Sequence, residues 1–465
     1  MQIPVLSGVY TDEVGKFRTA YPRNLVPVPT ENGIANGYLK HADGIVDFTT
    51  GLGNDRGGIQ WNGKHYRVMG VYLVEISETG AVTTIGTIGG SGQVRMVYSF
   101  THLAIASSGQ LWLYDGGTLA QNKDVDLGTV VDVTWIDGYF ATTDGTYIVV
   151  TELNNPFSVN PLKYGSSEES PDPILSVAKV RSELVALNRY TIEFFNNVGG
   201  NYFPFQRING ALISKGIVGT HAYTIINDTI MFVGSGQNER VCVYAGINGT
   251  ANKISTAEID IMLAEYTPDQ LSKMVVEHKF YNGHVQLLIH LDKCIVFDIT
   301  ASNAVGKKIW FTLDSGSDTP SQYRGKNHVL AYNKWFVGDP ITEKIGYLSE
   351  DVSSHFGEIV GWEFNTTIIY NMGAGAIFNT LELVCLSGRY DSSVSPTIST
   401  QYSLDGLTWS QEKSISAGEY GDRSKRLTWF LQGDMRNWRI QRFKGTSDSM
   451  LSIARLEANI EPLAV

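Results

Sequence analysis

One figure, written seven times over, limits what this chain can fold into. Its clearest copies lie in residues 222–300. An apolar run, Ala222-Tyr-Thr-Ile-Ile226, meets the turn pair Asn227-Asp228 and continues as Thr229-Ile-Met-Phe-Val233. After the Gly-rich connection Gly234-Ser-Gly-Gln237 it returns as Val241-Cys-Val-Tyr-Ala245. The second copy runs through residues 274–281, Asn282-Gly283, 285–291 and Cys294-Ile-Val-Phe297. Three short β-rich runs separated by turn chemistry make an antiparallel meander. The first turn of the figure recurs at Asn62-Gly63, near Phe100-Thr101, at Asp137-Gly138, near Arg181-Ser182 and at Asn333-Lys334. Its third run recurs at 72–76, 111–114, 147–150, 192–195 and 345–348. Units at intervals of roughly 35 to 55 residues point to a β-propeller, because one meander cannot bury both faces but a ring of meanders can. A pair of face-packed β-sandwiches is the alternative.

Between the two clear copies lies the most strongly helical text of the chain. Ser255 and Glu258 have the spacing of a capping box, and Ile259, Met262, Leu263 and Tyr266 follow at i, i+3, i+4 and i+7. A second box has Thr267 as cap, Pro268 at the first helical position and Gln270 beyond it. A helical insertion is therefore predicted over residues 255–275. Residues 1–58 show little periodicity, and Pro22, Pro27 and Pro29 predict an extended N-terminal arm. The run GLGNDRGG at 51–58 reads as a flexible joint, and the Ser/Glu/Pro-rich residues 166–173 as a solvated loop. Past residue 353 the rhythm changes. Runs at 362–370, 381–386, 398–403, 427–431, 438–443 and 451–456 lack the three-part figure and predict a small β-sandwich. The expected fold is all-β: an arm over 1–58, a seven-bladed propeller-like domain over 59–352 with its helical insertion, and a sandwich over 353–465.

Composition agrees and narrows function. Gly 48, Tyr 23 and Phe 19 suit a β architecture, and 465 residues are too many for one core. A net charge of −11 argues against a polyanion-binding surface over most of the chain. No apolar run reaches 18 residues and no basic start precedes an apolar core, so neither a membrane span nor a signal peptide is expected. The cysteines Cys242, Cys294 and Cys385 are odd in number; Cys242 and Cys294 fall in third runs and read as buried thiols, which leaves the sequons at Asn227, Asn248 and Asn365 uninformative.

The stretches that invite chemistry do not build a site. His278, His284 and His290 are evenly spaced, but a two-residue turn at Asn282-Gly283 pairs Tyr281 with His284 and His278 with Leu287. His278 then points away from the other two. Ser403-Leu-Asp-Gly-Leu-Thr-Trp409 resembles the Asp-box of sialidase-like propellers, one residue short, and reads as a tight turn with Trp409 beneath it. The Gly-rich stretches at 51–53, 90–93 and 234–237 open no helix directly after a strand, so they are not phosphate cradles. Residues 423–444 are basic and aromatic, with Arg423, Lys425, Arg426, Arg436, Arg439, Arg442 and Lys444 around Trp429, Phe430 and Trp438. The alternation of Trp438 and Ile440 with Arg439 and Gln441 is that of a half-buried strand; a nucleic-acid surface or a charged protein interface are the other readings. No catalytic, cofactor-binding or metal-ligating residue is assigned.

Several segments resemble one known family. They are Lys253-Ile-Ser-Thr-Ala-Glu-Ile-Asp260, Ala264-Glu-Tyr-Thr-Pro-Asp-Gln270 and residues 284–298 (HVQLLIHLDKCIVFD). Asn36-Gly-Tyr-Leu39, residues 56–73, Lys215-Gly-Ile-Val-Gly-Thr220 and Tyr323-Arg-Gly325 leading to Gly338-Asp339 agree in order. The chain is similar to the packaged-DNA stabilisation proteins, the tail-hub or nozzle proteins of short-tailed bacteriophages. It departs from them at Asp43-Gly44, where the family has Pro-Gly. The resemblance implies a structural virion protein without cofactor or catalytic activity, assembled in the host cytoplasm into the tail. It implies a homo-hexameric tube below the portal–adaptor ring, closed by a tail needle or plug, with tailspikes or fibres attached nearby. Packaged duplex DNA would pass without specific binding, and no membrane is involved. The candidate assembly interface takes Glu258, Glu265 and Asp269 from the insertion and Arg436 and Arg439 from the basic stretch. The rival readings are a glycan-binding or glycan-cleaving propeller of a phage tail and a cytoplasmic propeller scaffold.

Overall fold

Turn chemistry sets the frame. Asn62, Asp137, Arg181, Asn227, Asp228 and Asn282 all adopt positive φ, the conformation a two-residue hairpin demands of its central positions. Each expected turn joins two consecutive strands of a separate antiparallel sheet. The computed structural model describes residues 1–30, 35–167, 169–389, 396–448 and 450–463. Within them, seven sheets follow one another: residues 55–87, 95–121, 132–166, 174–213, 216–253, 275–313, and 326–349 with a strand from earlier in the chain. These are the seven blades. The last turn lies at Tyr332-Asn333, one residue before the expected Asn333-Lys334, because Lys334 already pairs with Ala331.

Each blade ends in a fourth strand that the three-part figure did not contain. Val82–Thr87 and Thr250–Lys253 are outer strands with half or more of their residues exposed, and the outer strand Leu119–Gln121 is only three residues long, so none carries a clear apolar signature. In the seventh blade the fourth strand is Gly44–Thr50, which pairs antiparallel with Lys344–Ser349 in the register Ile45↔Leu348 and Val46↔Tyr347. The ring is closed by the chain's own beginning.

The expected extended arm is therefore woven into both sheet systems. Leu25–Pro29 and Gly37–His41 form a hairpin at the edge of a sheet whose further strands are Met450–Pro462, Ala376–Arg389 and Leu427–Phe430; Gln2–Ile3 also pairs with Met450–Pro462. Pro27 and Pro29 sit on the outermost strand, where a missing N–H costs no ladder bond. The facing sheet has the order Gly361–Asn365, Trp438–Thr446, Thr397–Ser403, Lys413–Ser416. Between the two sheets lie Trp362, Phe364, Phe378, Trp429 and Phe443, together with Ile3, Val5, Leu25 and Leu39. The flexible joint expected at 51–58 is instead the entry to the first blade. Arg56 there donates to the carbonyls of Gly70 (2.8 Å), Gly89 (2.8 Å) and Gly92 (2.7 Å) and to Ser107 Oγ (2.7 Å). Of the expected loop 166–173, residue 168 lies outside the described residues, while Asp172 Oδ2 accepts from the backbone N–H of Tyr190 at 2.6 Å.

Propeller and sandwich meet at Arg23 and Asn24. Arg23 Nη2 donates to Asp314 Oδ1 at 2.8 Å and its backbone N–H to the carbonyl of Glu363 at 2.9 Å. Asn24 Nδ2 donates to the carbonyl of Gly361 at 2.7 Å, and its Oδ1 accepts from Asp314 N at 3.0 Å. Helix α1 (Ala257–Ala264) and helix α2 (Pro268–Ser272) connect the fifth and sixth blades; helix α3 (Ile299–Val305) lies inside the sixth. Among the described residues no helix is long and apolar enough to cross a membrane. Cys242 and Cys294 are free and buried, and Cys385 is free and partly buried.

Candidate assembly interface

Helix α1 begins one residue later than its sequence signal. Its N-cap is Thr256, whose Oγ1 accepts from Ile259 N, while Ser255 is buried and donates to Asp260 Oδ1 at 2.6 Å. Ile259 and Leu263 are fully buried in the core cluster around the fifth and sixth blades, with Met262 and Tyr266 packed beside them. Helix α2 carries the expected capping box between Thr267 and Gln270. The apolar face of the insertion thus points into the propeller, and Glu265 and Asp269 are left exposed. Asp269 pairs with Lys273 at the end of the same helix, at 2.7 Å. Glu258 is half-buried and faces Arg18 of its own chain at 4.0 Å.

Arg18 belongs to a hairpin, Gly8–Thr11 with Phe17–Ala20, that reaches in two directions. Towards the insertion, Arg18 faces Glu258, and Tyr21 just beyond the hairpin lies 2.5 Å from Thr256 Oγ1. Towards the sandwich, Phe17 meets Trp438 edge-on with centroids 6.0 Å apart, and Val9 N–H donates to the carbonyl of Thr366 at 3.0 Å. Gly8 is required there: a Cβ would stand 2.3 Å from the carbonyl oxygen of Asn365. No periodic pattern marks this hairpin, which is four residues to a strand, and the sequence reading placed it in the arm.

The basic stretch does not form one surface. Arg439 is fully buried, so it cannot serve as an interface residue; its guanidinium lies 4.2 Å from the ring of Phe378 and 3.9 Å from that of Tyr402. It donates to Gln432 O at 2.7 Å and Gln441 Oε1 at 2.7 Å. Strand Trp438–Thr446 lies inside its sheet and is covered on both faces, which is why alternation misplaced this side chain. Arg426 pairs with Glu382, and Arg442 covers the ring of Trp409 at 3.9 Å. Trp409 is therefore covered by Arg442 on one face. Asp405 braces that turn by accepting from Leu407 N and Thr408 N, both at 2.8 Å. Arg423 and Arg436 remain exposed.

The histidine hairpin has the expected register, Tyr281↔His284 and His278↔Leu287. His278 Nδ1 meets Thr224 Oγ1 and His284 Nδ1 meets Asp298, each at 2.7 Å, and the three rings do not converge. A different group does. Glu277 Oε1 lies 2.5 Å from His290 Nε2 and 2.8 Å from His328 Nδ1. Burial alone would raise the Glu277 carboxyl, but the two imidazoles outweigh it and hold the carboxyl well below the usual range. Sequence reasoning missed this cluster because His328 belongs to the next blade, and only ring packing brings it to Glu277.

Comparison with known proteins decides between the readings. A family model described as Bacteriophage P22 Gp10, beta-propeller, matches residues 1–353, and one for the beta-sandwich of the same protein matches 361–461. The chain belongs to the P22 Gp10 family. It is similar to the tail hub protein gp10 of Salmonella phage P22, with 26% identity over 458 residues covering 94% of both chains. This Gp10-family chain is accordingly a structural protein of the phage-tail class and not an enzyme. Among solved structures it is similar to the N-terminal domain of Nup159 (9% identity, 69% of this chain, 97% of that one, TM-score 0.41). The Neurospora crassa Pan2 WD40 domain gives 10%, 66%, 95% and 0.43 in the same order. The count of seven blades rests on strand pairing, not on these likenesses.

Proposed function

We propose that this chain is a tail hub, or nozzle, that extends the portal–adaptor channel of a short-tailed phage and retains its packaged DNA. In this reading it is a homo-hexamer, assembled in the host cytoplasm, that seats a needle or plug and carries tailspikes or fibres. The observation that carries the reading is the end-to-end match, through both domains, to a protein named as a tail hub. A propeller closed by its own N-terminus, tied to a sandwich by Arg23 and Asn24, is a rigid part of the kind a channel wall needs. Particles assembled without this protein should package a full genome and then lose it. If they keep their DNA, retention lies elsewhere and the reading fails.

Retention by a plugged channel differs from retention by grip. The chain has 47 acidic against 36 basic side chains, and its one basic stretch is broken up by burial, stacking and ion pairing. A grip through phosphates would need clustered cations and would weaken steeply with salt. Purified protein should therefore give no gel shift with duplex DNA at physiological salt. The reverse outcome is a salt-sensitive shift abolished by Arg423→Glu with Arg436→Glu, both exposed positions.

The insertion is the proposed contact with the adaptor or a neighbouring subunit. Glu265→Arg reverses an exposed charge without touching the buried Ile259 and Leu263. Its stability should stay within about 0.5 kcal/mol of the parent, while co-sedimentation with the portal–adaptor complex should weaken. Unchanged attachment would make the insertion a connector between blades and nothing more.

A further inference from the structure

We propose that Glu277, His290 and His328 form a binding site for a divalent transition metal of zinc type, which ties the sixth blade to the seventh. Two imidazoles and a carboxylate are a donor set that zinc takes readily, with water completing a tetrahedron. Their ligating atoms all lie within 4.8 Å of one another. The fold explains the convergence. Glu277 pairs with Leu288, and His290 with Val275, on adjacent strands of the sixth blade, so Glu277 and His290 are diagonal neighbours on one face. His328 comes from Lys326–Ala331, the first strand of the seventh blade.

Three further features are those of a ligand site. Nε2 of His290, which faces Glu277 Oε1 at 2.5 Å, is buried without an aligned hydrogen-bond partner, and the His328 side chain, which turns Nδ1 to the same oxygen, is fully enclosed. Glu277 Oε2 accepts the backbone N–H of His328 at 2.8 Å, an outer-shell bond that aims Oε1 at the two rings. A cleft of about 240 Å³ beside α2, lined by His290, Tyr323, Lys326, Gln270 and Lys273, reaches the cluster from outside. Zinc bonds of about 2.0 Å set ligand atoms about 3.3 Å apart, so Oε1 would withdraw by less than about an ångström from its present contacts. The ion would replace a crowded contact with bonds and would join two blades next to the helical insertion.

The test uses full-length protein and ZnCl2. Equilibrium dialysis with elemental analysis should find one zinc per chain that survives desalting, and Glu277→Gln and His328→Gln should each weaken it by more than about tenfold. Crystals of the unaltered protein grown with ZnCl2 should show an anomalous peak at the zinc edge between the three side chains, which tests the site even if a variant misfolds. No bound zinc, a peak elsewhere, or full uptake by well-folded variants would overturn the proposal.

Discussion

A chain that starts at residue 51 will not yield a soluble propeller. Loss of Gly44–Thr50 strips the seventh blade to three strands and exposes the backbone of Lys344–Ser349 as an open edge. It also removes Ile45, which is fully buried in the cluster that contains Val337, Leu348 and Phe356. Ile45→Ala alone should cost about 2–5 kcal/mol, and the truncation far more. A chain starting at residue 43 is the informative control. It keeps the closing strand but loses Ile3, Val5, Leu25 and Leu39, so the sandwich should fail while the propeller folds. Soluble yield and denaturant unfolding followed at separate sites in the two domains measure both effects. If the chain from residue 51 is monomeric and unfolds like the parent, the N-terminus is a dispensable arm after all.

Asp55→Ala should destabilise the propeller by about 3–5 kcal/mol, the range for stranding a buried partner charge. Asp55 and Arg67 are both fully enclosed, with Arg67 Nη1 donating to Asp55 Oδ1 at 2.8 Å. Asn327 Nδ2 donates to Asp55 Oδ2 at 2.6 Å, and Arg67 Nη2 donates to Asn327 O at 2.9 Å, so the network joins the first blade to the seventh. Arg67 Nε lies 3.0 Å from His65 Nε2. Burial, then the nearby Arg67 charge, pushes the His65 pKa well below its ordinary value, which keeps the ring neutral and able to accept. Gly338 makes room for the network, since a Cβ there would stand 2.1 Å from Asp55 Cγ. The variant Asp55→Ala with Arg67→Met removes both charges and should cost less than Asp55→Ala alone. Urea unfolding decides it: a single-variant cost below about 1 kcal/mol, or a double variant just as unstable, would show that the pair is not the clasp between blades.

What could be read in advance depended on whether the signal was local. The seven turns and third runs were legible because left-handed turn residues and buried apolar strands are written within a few positions of each other, as at Asn282-Gly283 and Cys294-Ile-Val-Phe297. Thr267 and Gln270 are local in the same way. Helix α3 also had local punctuation, Asp298 as cap and Gly306 in the left-handed conformation, but its sequence ITASNAV lacks a strong apolar stripe. Outer strands such as Thr250–Lys253 were hidden by their polarity, whereas Ile309–Leu313 is apolar and was missed because the three-part figure ends before it. Gly44–Thr50 was hidden by distance, since its partner is at the other end of the propeller. Arg439 shows a different limit: alternation tells faces apart but cannot tell that both are covered, and an arginine held between two rings reads like one on a surface. The Glu277, His290 and His328 group depends on the packing of successive blades, which no local pattern encodes.

The pairing of Gln2–Ile3 with Met450–Pro462 places the first and last of the described strands in one sheet. The order of synthesis therefore matters. Gly44–Thr50 leaves the ribosome long before Lys344–Ser349 exists, and at about 5–20 residues per second the wait is on the order of tens of seconds. During that time Gly44–Thr50 has no partner strand to pair with. The sandwich waits longer still, until Met450–Pro462 has been translated. A product released before Met450–Pro462 is made leaves Gln2–Ile3 and Ala376–Arg389 without the strand that pairs with both.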